Sequence, residues 1–313
     1  MTAEREPVVL PEGLRDRVLA ASWRARSAGR PVPDVPEISP LEAFSRAADA
    51  LYGMLCALDD EDWRRPVLRG LDVQHLIGHL TGVEEDMRRC LSGDPAVAEA
   101  DHVGSTQPWA TRQAGQPPAS TRAEWRGAAD RGLALAREHG DLDAEVALHG
   151  MRLSLGALLI VRAFELWTHD NDIRRATGLR AAVPDASTLR LMTGLAAPLL
   201  PYGAARAGLR EPTRLHLVLT GPGGGAWDLV IGDENQRAPA SIGIVTGAVG
   251  FCQLVAKRAT PGELDLYIIG DPDRAAGILA AASSLGSTSA ISWVSGIGGA
   301  RGDPGPAAVT YPS

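Results

Sequence analysis

LGALLIVRAFELWTHDNDIRRATG, residues 155–178, sets an acid and a histidine into a strongly apolar run. Its apolar residues recur at helical intervals, and Gly178 stands where a helix is closed by a left-handed residue. On such a helix Glu165 and His169, four apart, leave one face about one turn from each other. A carboxylate and an imidazole stacked in this way can supply two ligands to one divalent metal. The preceding LGALLIVRAF is too apolar for a solvated surface helix, so the acid is expected to be buried and to need a partner. That partner is either a metal or Arg162, three residues earlier on nearly the same face.

Ser39 followed by Pro40 is an N-cap and first-turn proline, and LEAFSRAADALYGMLCAL carries a helical stripe to Leu58. From Asp72 to Leu91 a second stripe holds Val73, Leu76, Ile77, Leu80 and Val83. Residues 92–120 show little periodicity and read as a long loop placed to cover a pocket. TRAEWRGAADRGLALAREHG predicts a third helix ending at Gly140, and the fourth runs from about Ser154 to Thr177. Four helices with one long connection predict an antiparallel bundle over 39–182.

Beyond Pro184 the pattern changes. A further helical run reaches Leu200, and RLHLVLTG and AWDLVIG are β-rich runs around PGGG, a hairpin signal. SIGIVTG predicts a third strand, AVGFCQLVAKRA a helix, ELDLYIIGD a strand and PDRAAGILAAASSL a last helix, together a small α+β domain over 183–285. Residues 1–38 read as an extension, with a short helix near Pro11–Arg26 and the proline-rich linker GRPVPDVPEISP; 286–313 read as a loose tail.

The 313 residues carry a formal charge of −7 and no basic stripe, which argues against nucleic acid and anionic membrane as partners. Cys56, Cys90 and Cys252 are far apart with no CxxC pair, so neither a disulfide framework nor a thiolate zinc site is indicated, and a reducing cytoplasm is expected. No apolar run is long enough to span a bilayer, and the N-terminus lacks the apolar core of a signal peptide. Lys257 is the only lysine, which points to a GC-rich coding bias.

A catalytic zinc site takes three protein ligands and leaves a position open. With Glu165 and His169 on one helix, the third should come from a facing helix, where His75 and His79 lie four apart. His79 falls on the flank of the apolar stripe and His75 points further toward solvent, which favours His79.

HLIGHLTG together with the later RAFELWTHDNDIRRATG resembles the mycothiol-dependent maleylpyruvate isomerase family of DinB-like metalloproteins: a helical histidine, then far downstream a glutamate and histidine four apart, an aspartate and a closing Ala-x-Gly. The stretch LHLVLTGPGGGAWDLVIGD through AKRATPGELDLYIIGDPDRAAGILAA resembles that family's sterol-carrier-like accessory domain. The resemblance implies a DinB-like four-helix bundle followed by a small α+β domain, with His79, Glu165 and His169 holding zinc or a similar divalent ion. It further implies mycothiol as cosubstrate and a small electrophile as substrate, in S-transfer or cis–trans isomerisation. It places Arg258 toward the active site, with Lys257 beside it where the family more often has glycine.

Asp172, three after His169, can orient that imidazole or meet the substrate; equally it can pair with Arg175 or Arg162. Arg162 can meet an anionic group or hold Glu165 in an ion pair that would displace a metal. His102 and His149 are candidates for a fourth ligand or a proton donor, though ordinary structural histidines read as well. Gly221–Gly225 lacks the Lys and Ser/Thr of a phosphate loop and reads as a hairpin turn. Trp63, Trp125 and Trp167 read as bundle packing, with Trp167 also able to line a pocket. Two other readings stay open: a zinc-water hydrolase, without the HExxH of a peptidase, and a non-catalytic small-molecule-binding protein.

Overall fold

The structure, a computed structural model, describes residues 35–232 and 240–286; the expected helix near Pro11–Arg26 and the tail after Gly286 lie outside the described residues. Helix α1 (Pro40–Cys56) begins where Ser39 accepts from the Glu42 N–H, and α2 (Val73–Leu91) where Asp72 accepts from the His75 N–H. Between them a tight hairpin pairs β1 (Pro66–Leu68) with β2 (Leu71–Asp72). Helix α4 (Pro118–His139) ends at Gly140. Helix α5 (Leu155–Thr177) starts at the Ser154 cap and stops at Gly178, φ 74°.

Besides the β1–β2 hairpin, two features differ from the sequence reading. The 92–120 region is not a loop: Asp101 accepts from the Gly104 N–H and starts α3 (His102–Gln113). This helix has no apolar stripe, and it buries Thr106 and Ala110 against α2 instead. The approach needs Gly78 and Gly82, where an added Cβ would stand 2.8 Å from the Ala110 Cα and 3.0 Å from the Thr106 Cα. The second feature is a hairpin of β3 (Glu145–Leu148) and β4 (Met151–Ser154) ahead of α5, turned by His149 and Gly150 at φ 51° and 75°.

The remaining described residues build a sheet with helices against one face. Helices α6 (Ala186–Ala196) and α7 (Leu200–Arg206), joined by a 3₁₀ turn, carry the expected run on past Leu200. They precede β5 (Thr213–Thr220), β6 (Gly225–Ile231), β7 (Ala240–Gly247), α8 (Ala248–Val255), β8 (Tyr267–Ile269) and α9 (Pro272–Ala282). Strand order is β6-β5-β7-β8, with β5 and β7 parallel and the outer pairs antiparallel. Leu215, Leu217 and Leu219 alternate with exposed Arg214 and His216, so one face is buried and the other solvated. The Gly221–Gly224 bond closes the β5–β6 turn.

From Glu37 to Gly286 the described residues form one compact unit. Bundle residues such as Phe44, Leu51, Trp63, Trp125 and Leu159 share a continuous apolar core with Leu217, Ile244, Phe251 and Ile278 of the sheet region. Among the described residues no helix is long and apolar enough to cross a membrane.

Candidate metal centre

Helix α5 buries Leu155, Leu158, Leu159, Ala163 and Leu166, and Arg162, Glu165 and His169 lie on or beside that stripe. Facing them, α2 contributes His79 and α3 contributes His102. Three imidazole Nε2 atoms converge on one carboxylate oxygen, Glu165 Oε1: His102 at 3.5 Å, His79 at 3.7 Å and His169 at 3.9 Å. His79, His102 and Glu165 have ligand atoms within 4.8 Å of one another.

The outer hydrogen bonds decide which ring nitrogen carries a proton. His169 Nδ1 lies 3.0 Å from Asp172 Oδ2, a carboxylate that only accepts, so Nδ1 is the donor and the neutral ring presents its lone pair at Nε2. His79 Nδ1 lies 2.7 Å from Thr106 Oγ1, whose own hydroxyl donates to the His102 carbonyl at 2.7 Å. That hydroxyl therefore accepts from His79, and His79 Nε2 is also a lone pair. Burial, opposed by Glu165, holds the His79 imidazole below its ordinary value, which favours the neutral, ligating form.

The other oxygen of Glu165 bonds Arg162 Nη1, and Arg162 Nη2 lies 2.6 Å from Glu84 Oε1, both of these side chains being out of solvent. Arg162 thus does pair with Glu165, but through Oε2, and leaves Oε1 to the imidazoles. Glu84 Oε2 and Arg162 Nε have no hydrogen-bond partner. Two carboxylates share one guanidinium, a local excess of negative charge that a cation beside Oε1 would balance. Burial pushes the Glu84 carboxyl up, with Arg162 opposing; Glu165 falls well below the usual carboxylate range, where the charge of Arg162 overcomes burial.

Arg258 reaches the centre from the chain just after α8. Its Nε and Nη2 lie 2.7 and 2.6 Å from the two oxygens of Asp172, a bidentate pair. Burial works against ionisation of Asp172, yet the Arg258 and His169 hydrogen bonds hold its carboxyl at about 2. Arg175 is a more distant partner at 3.5 Å. The centre opens into a cavity of about 430 Å³ lined by apolar side chains including Leu71, Val103, Met151, Val161, Phe164 and Val255, with Arg162, Arg258 and Lys257 also at its wall. Trp167 lines a second, smaller cavity and donates to the Ala182 carbonyl; Trp63 and Trp125 are core.

The donor set fits a divalent ion. Metal–nitrogen and metal–oxygen bonds of about 2.0–2.2 Å put neighbouring donors roughly 2.9–3.4 Å apart at right-angled to tetrahedral geometry. The 3.5–3.9 Å separations from Glu165 Oε1 exceed this by a few tenths; His79, His102 and Glu165 form the mutually close group, and His169, at 3.9 Å from Oε1, stands outside it.

The described residues thus build a helical bundle that carries a histidine–carboxylate cluster, followed by a small α+β region. Residues 44–174, from within α1 through most of α5, match the family model for the mycothiol maleylpyruvate isomerase N-terminal domain. A crystal structure of the mycothiol-dependent maleylpyruvate isomerase is similar at TM-score 0.52 and 16% identity, covering 72% of this chain and 91% of that one. A histidine-to-alanine mutant of it aligns with the same coverage at TM-score 0.52 and 15% identity. No curated protein sequence matches the chain.

Proposed function

We propose that this chain is a divalent-metal enzyme that activates a low-molecular-weight thiol, mycothiol, for attack on a small electrophile, as an isomerase or S-transferase. The observation that carries the reading is the convergence of the His79 and His169 Nε2 lone pairs on Glu165 Oε1, each ring held by an outer partner on Nδ1. His79, Glu165 and His169 would hold the ion, with zinc suited to two imidazoles and a carboxylate. Such an ion, when bound, lowers the pKa of a thiol at its open position and makes it a nucleophile near neutral pH.

The surrounding side chains have separable tasks. Asp172 fixes the tautomer and tilt of His169, and Arg258 holds Asp172 ionised. Arg162 holds Glu165 by one oxygen so that the other faces the imidazoles. The apolar cavity wall keeps water away from the reacting thiol and strengthens the polar interactions beside it. The protein's cysteines are poor substitutes for an added thiol. Cys252 and Cys90 are pushed up by burial, and none of the three lines the cavity. The likeness of residues 44–174 to an N-terminal domain named for a mycothiol isomerase supports both thiol and reaction class.

The test is elemental analysis of the purified protein beside His79→Ala and Glu165→Ala variants, followed by incubation with mycothiol and a panel of electrophiles read by mass spectrometry. The expected result is about one zinc or similar ion per wild-type chain, lost in both variants, and thiol-dependent turnover. Metal retained by both variants removes the reading, and turnover indifferent to thiol converts it to hydrolysis.

A further inference from the structure

His102 stands at the first turn of α3, the helix that sequence periodicity does not reveal, and its Nε2 is nearer to Glu165 Oε1 than that of either other imidazole, 3.5 Å against 3.7 and 3.9 Å. Its back is held by a buried chain of partners. His102 Nδ1 lies 3.1 Å from His149 Nδ1, and His149 Nε2 lies 3.0 Å from Asp86 Oδ2; the His149 and Asp86 side chains are 0% and 2% exposed. A carboxylate accepts only, so His149 Nε2 carries a proton. In the neutral ring Nδ1 is then an acceptor, and the proton of the 3.1 Å bond belongs to His102 Nδ1. His102 Nε2 is left with a lone pair directed at an anionic oxygen, at a separation beyond the usual 2.7–3.2 Å of a hydrogen bond.

Backbone geometry agrees. His149 holds φ 51°, a left-handed conformation that side chains rarely adopt, and its N–H and that of Gly150 donate to the Val97 and Ala98 carbonyls at 2.9 and 2.6 Å. Strain of this kind persists where the surroundings hold it, and here it aims an imidazole between Asp86 and His102.

We propose that His102 is a further protein ligand of the same centre, with His149 and Asp86 as the positioning residues that fix its tautomer. This rests on the metal reading above and extends it. The centre then offers three imidazoles and one carboxylate. A tetrahedral ion would be saturated by that set, so a thiol enters only if the ion accepts five or six donors. Nitrogen-rich sites of this kind suit zinc, cobalt, nickel and ferrous iron in five- or six-coordinate form.

The experiment is X-ray absorption spectroscopy of the zinc-loaded full chain, counting bound imidazoles, with zinc affinity read by competition against a chromogenic chelator. The wild type should show three imidazoles, and His102→Ala and His102→Gln two, with affinity at least roughly tenfold weaker; His149→Phe should weaken zinc by about tenfold or more. His102→Gln keeps the side-chain length at the start of α3, so a folding defect in the alanine variant leaves the result readable. Two imidazoles in the wild type, or unchanged affinity and count in His102→Gln, overturns the proposal. His79→Ala separates the two readings: loss of zinc there with no change in His102→Gln sinks the His102 assignment alone, and zinc binding indifferent to both sinks the centre itself.

Discussion

Glu84 Oε1 and Arg162 Nη2 lie 2.6 Å apart with both side chains excluded from solvent, and the same guanidinium holds Glu165. The pair ties α2 to α5 directly behind the imidazoles. A buried ion pair contributes little when compared with an apolar replacement of both partners, but removing one partner strands the other charge. Arg162→Met is therefore expected to destabilise the protein by about 3–5 kcal/mol, because it leaves Glu84 and Glu165 without their shared partner. Adding Glu84→Leu should recover part of the loss, the share that belongs to Glu84. Urea unfolding of the two variants checks this; a double variant as unstable as the single one would locate the cost elsewhere.

Glu85, beside Glu84 and also largely buried, pins α2 to α4. Its oxygens lie 2.7 Å from Arg88 Nε and 2.5 Å from Arg131 Nη2. Partial burial opposes ionisation, and the Arg88 and Arg131 hydrogen bonds outweigh it, so the folded-state pKa is depressed. A depressed carboxyl contributes stability that is present above the unfolded value, about 4.3, and is lost as pH falls through the folded one. Glu85→Gln is expected to lower stability at pH 7 and to narrow its gap to wild type below pH about 4. Denaturant midpoints at pH 7 and pH 3.5 measure it; a constant gap would show that Glu85 does not titrate differently on folding.

Lys257 has φ 59° just after the end of α8, with its N–H on the Leu254 carbonyl and the Arg258 N–H on the Gln253 carbonyl at 2.7 Å. This is the left-handed position that glycine occupies without strain. Lys257→Gly is expected to stabilise the protein by up to about 1 kcal/mol, the relieved strain exceeding the added freedom of the unfolded chain. The melting temperature should rise by roughly 2–4 °C. A fall would mean that the lysine side chain contributes contacts worth more than the strain.

The helices that sequence reading finds are those with apolar residues at helical spacing, helped by the polar caps Ser39, Asp72 and Ser154 at three starts and by Gly140 and Gly178 at two ends. Glu165 and His169 are legible for the same reason, as one-turn neighbours on a segment too apolar to be solvated, and His79 as the flank of the stripe on α2. Helix α3 escapes because it packs through Thr106 and Ala110, small residues that carry no hydrophobic period, and it holds Pro108 within. Its one local signal is Asp101 three residues ahead of Gly104. The two short hairpins turn on Arg69-Gly70 and His149-Gly150, pairs with positive φ at both residues, whose strands are too brief to show alternation. Asp86, Thr106 and His149 are beyond any spacing argument, since their role depends on which helix α3 meets.

That meeting depends on two glycines of α2. A Cβ on Gly78 would stand 2.8 Å from the Ala110 Cα and 2.9 Å from the Trp109 carbonyl oxygen, and one on Gly82 would stand 3.0 Å from both Cα and Cβ of Thr106, the residue bonded to His79. Backbone atoms cannot rotate away, so α3 must move off α2. Gly78→Ala and Gly82→Ala are each expected to cost about 1–3 kcal/mol, although alanine is the better helix former. The zinc affinity of Gly82→Ala should fall as well, because Thr106 is displaced from His79. Gly53, on the exposed side of α1, has nothing within 4 Å of its Cβ position, and Gly53→Ala should instead stabilise by about 0.5–1 kcal/mol. Thermal unfolding of the three variants side by side tests the sign: a gain in all three would mean that α3 is not seated against α2, and the imidazole it delivers would go with it.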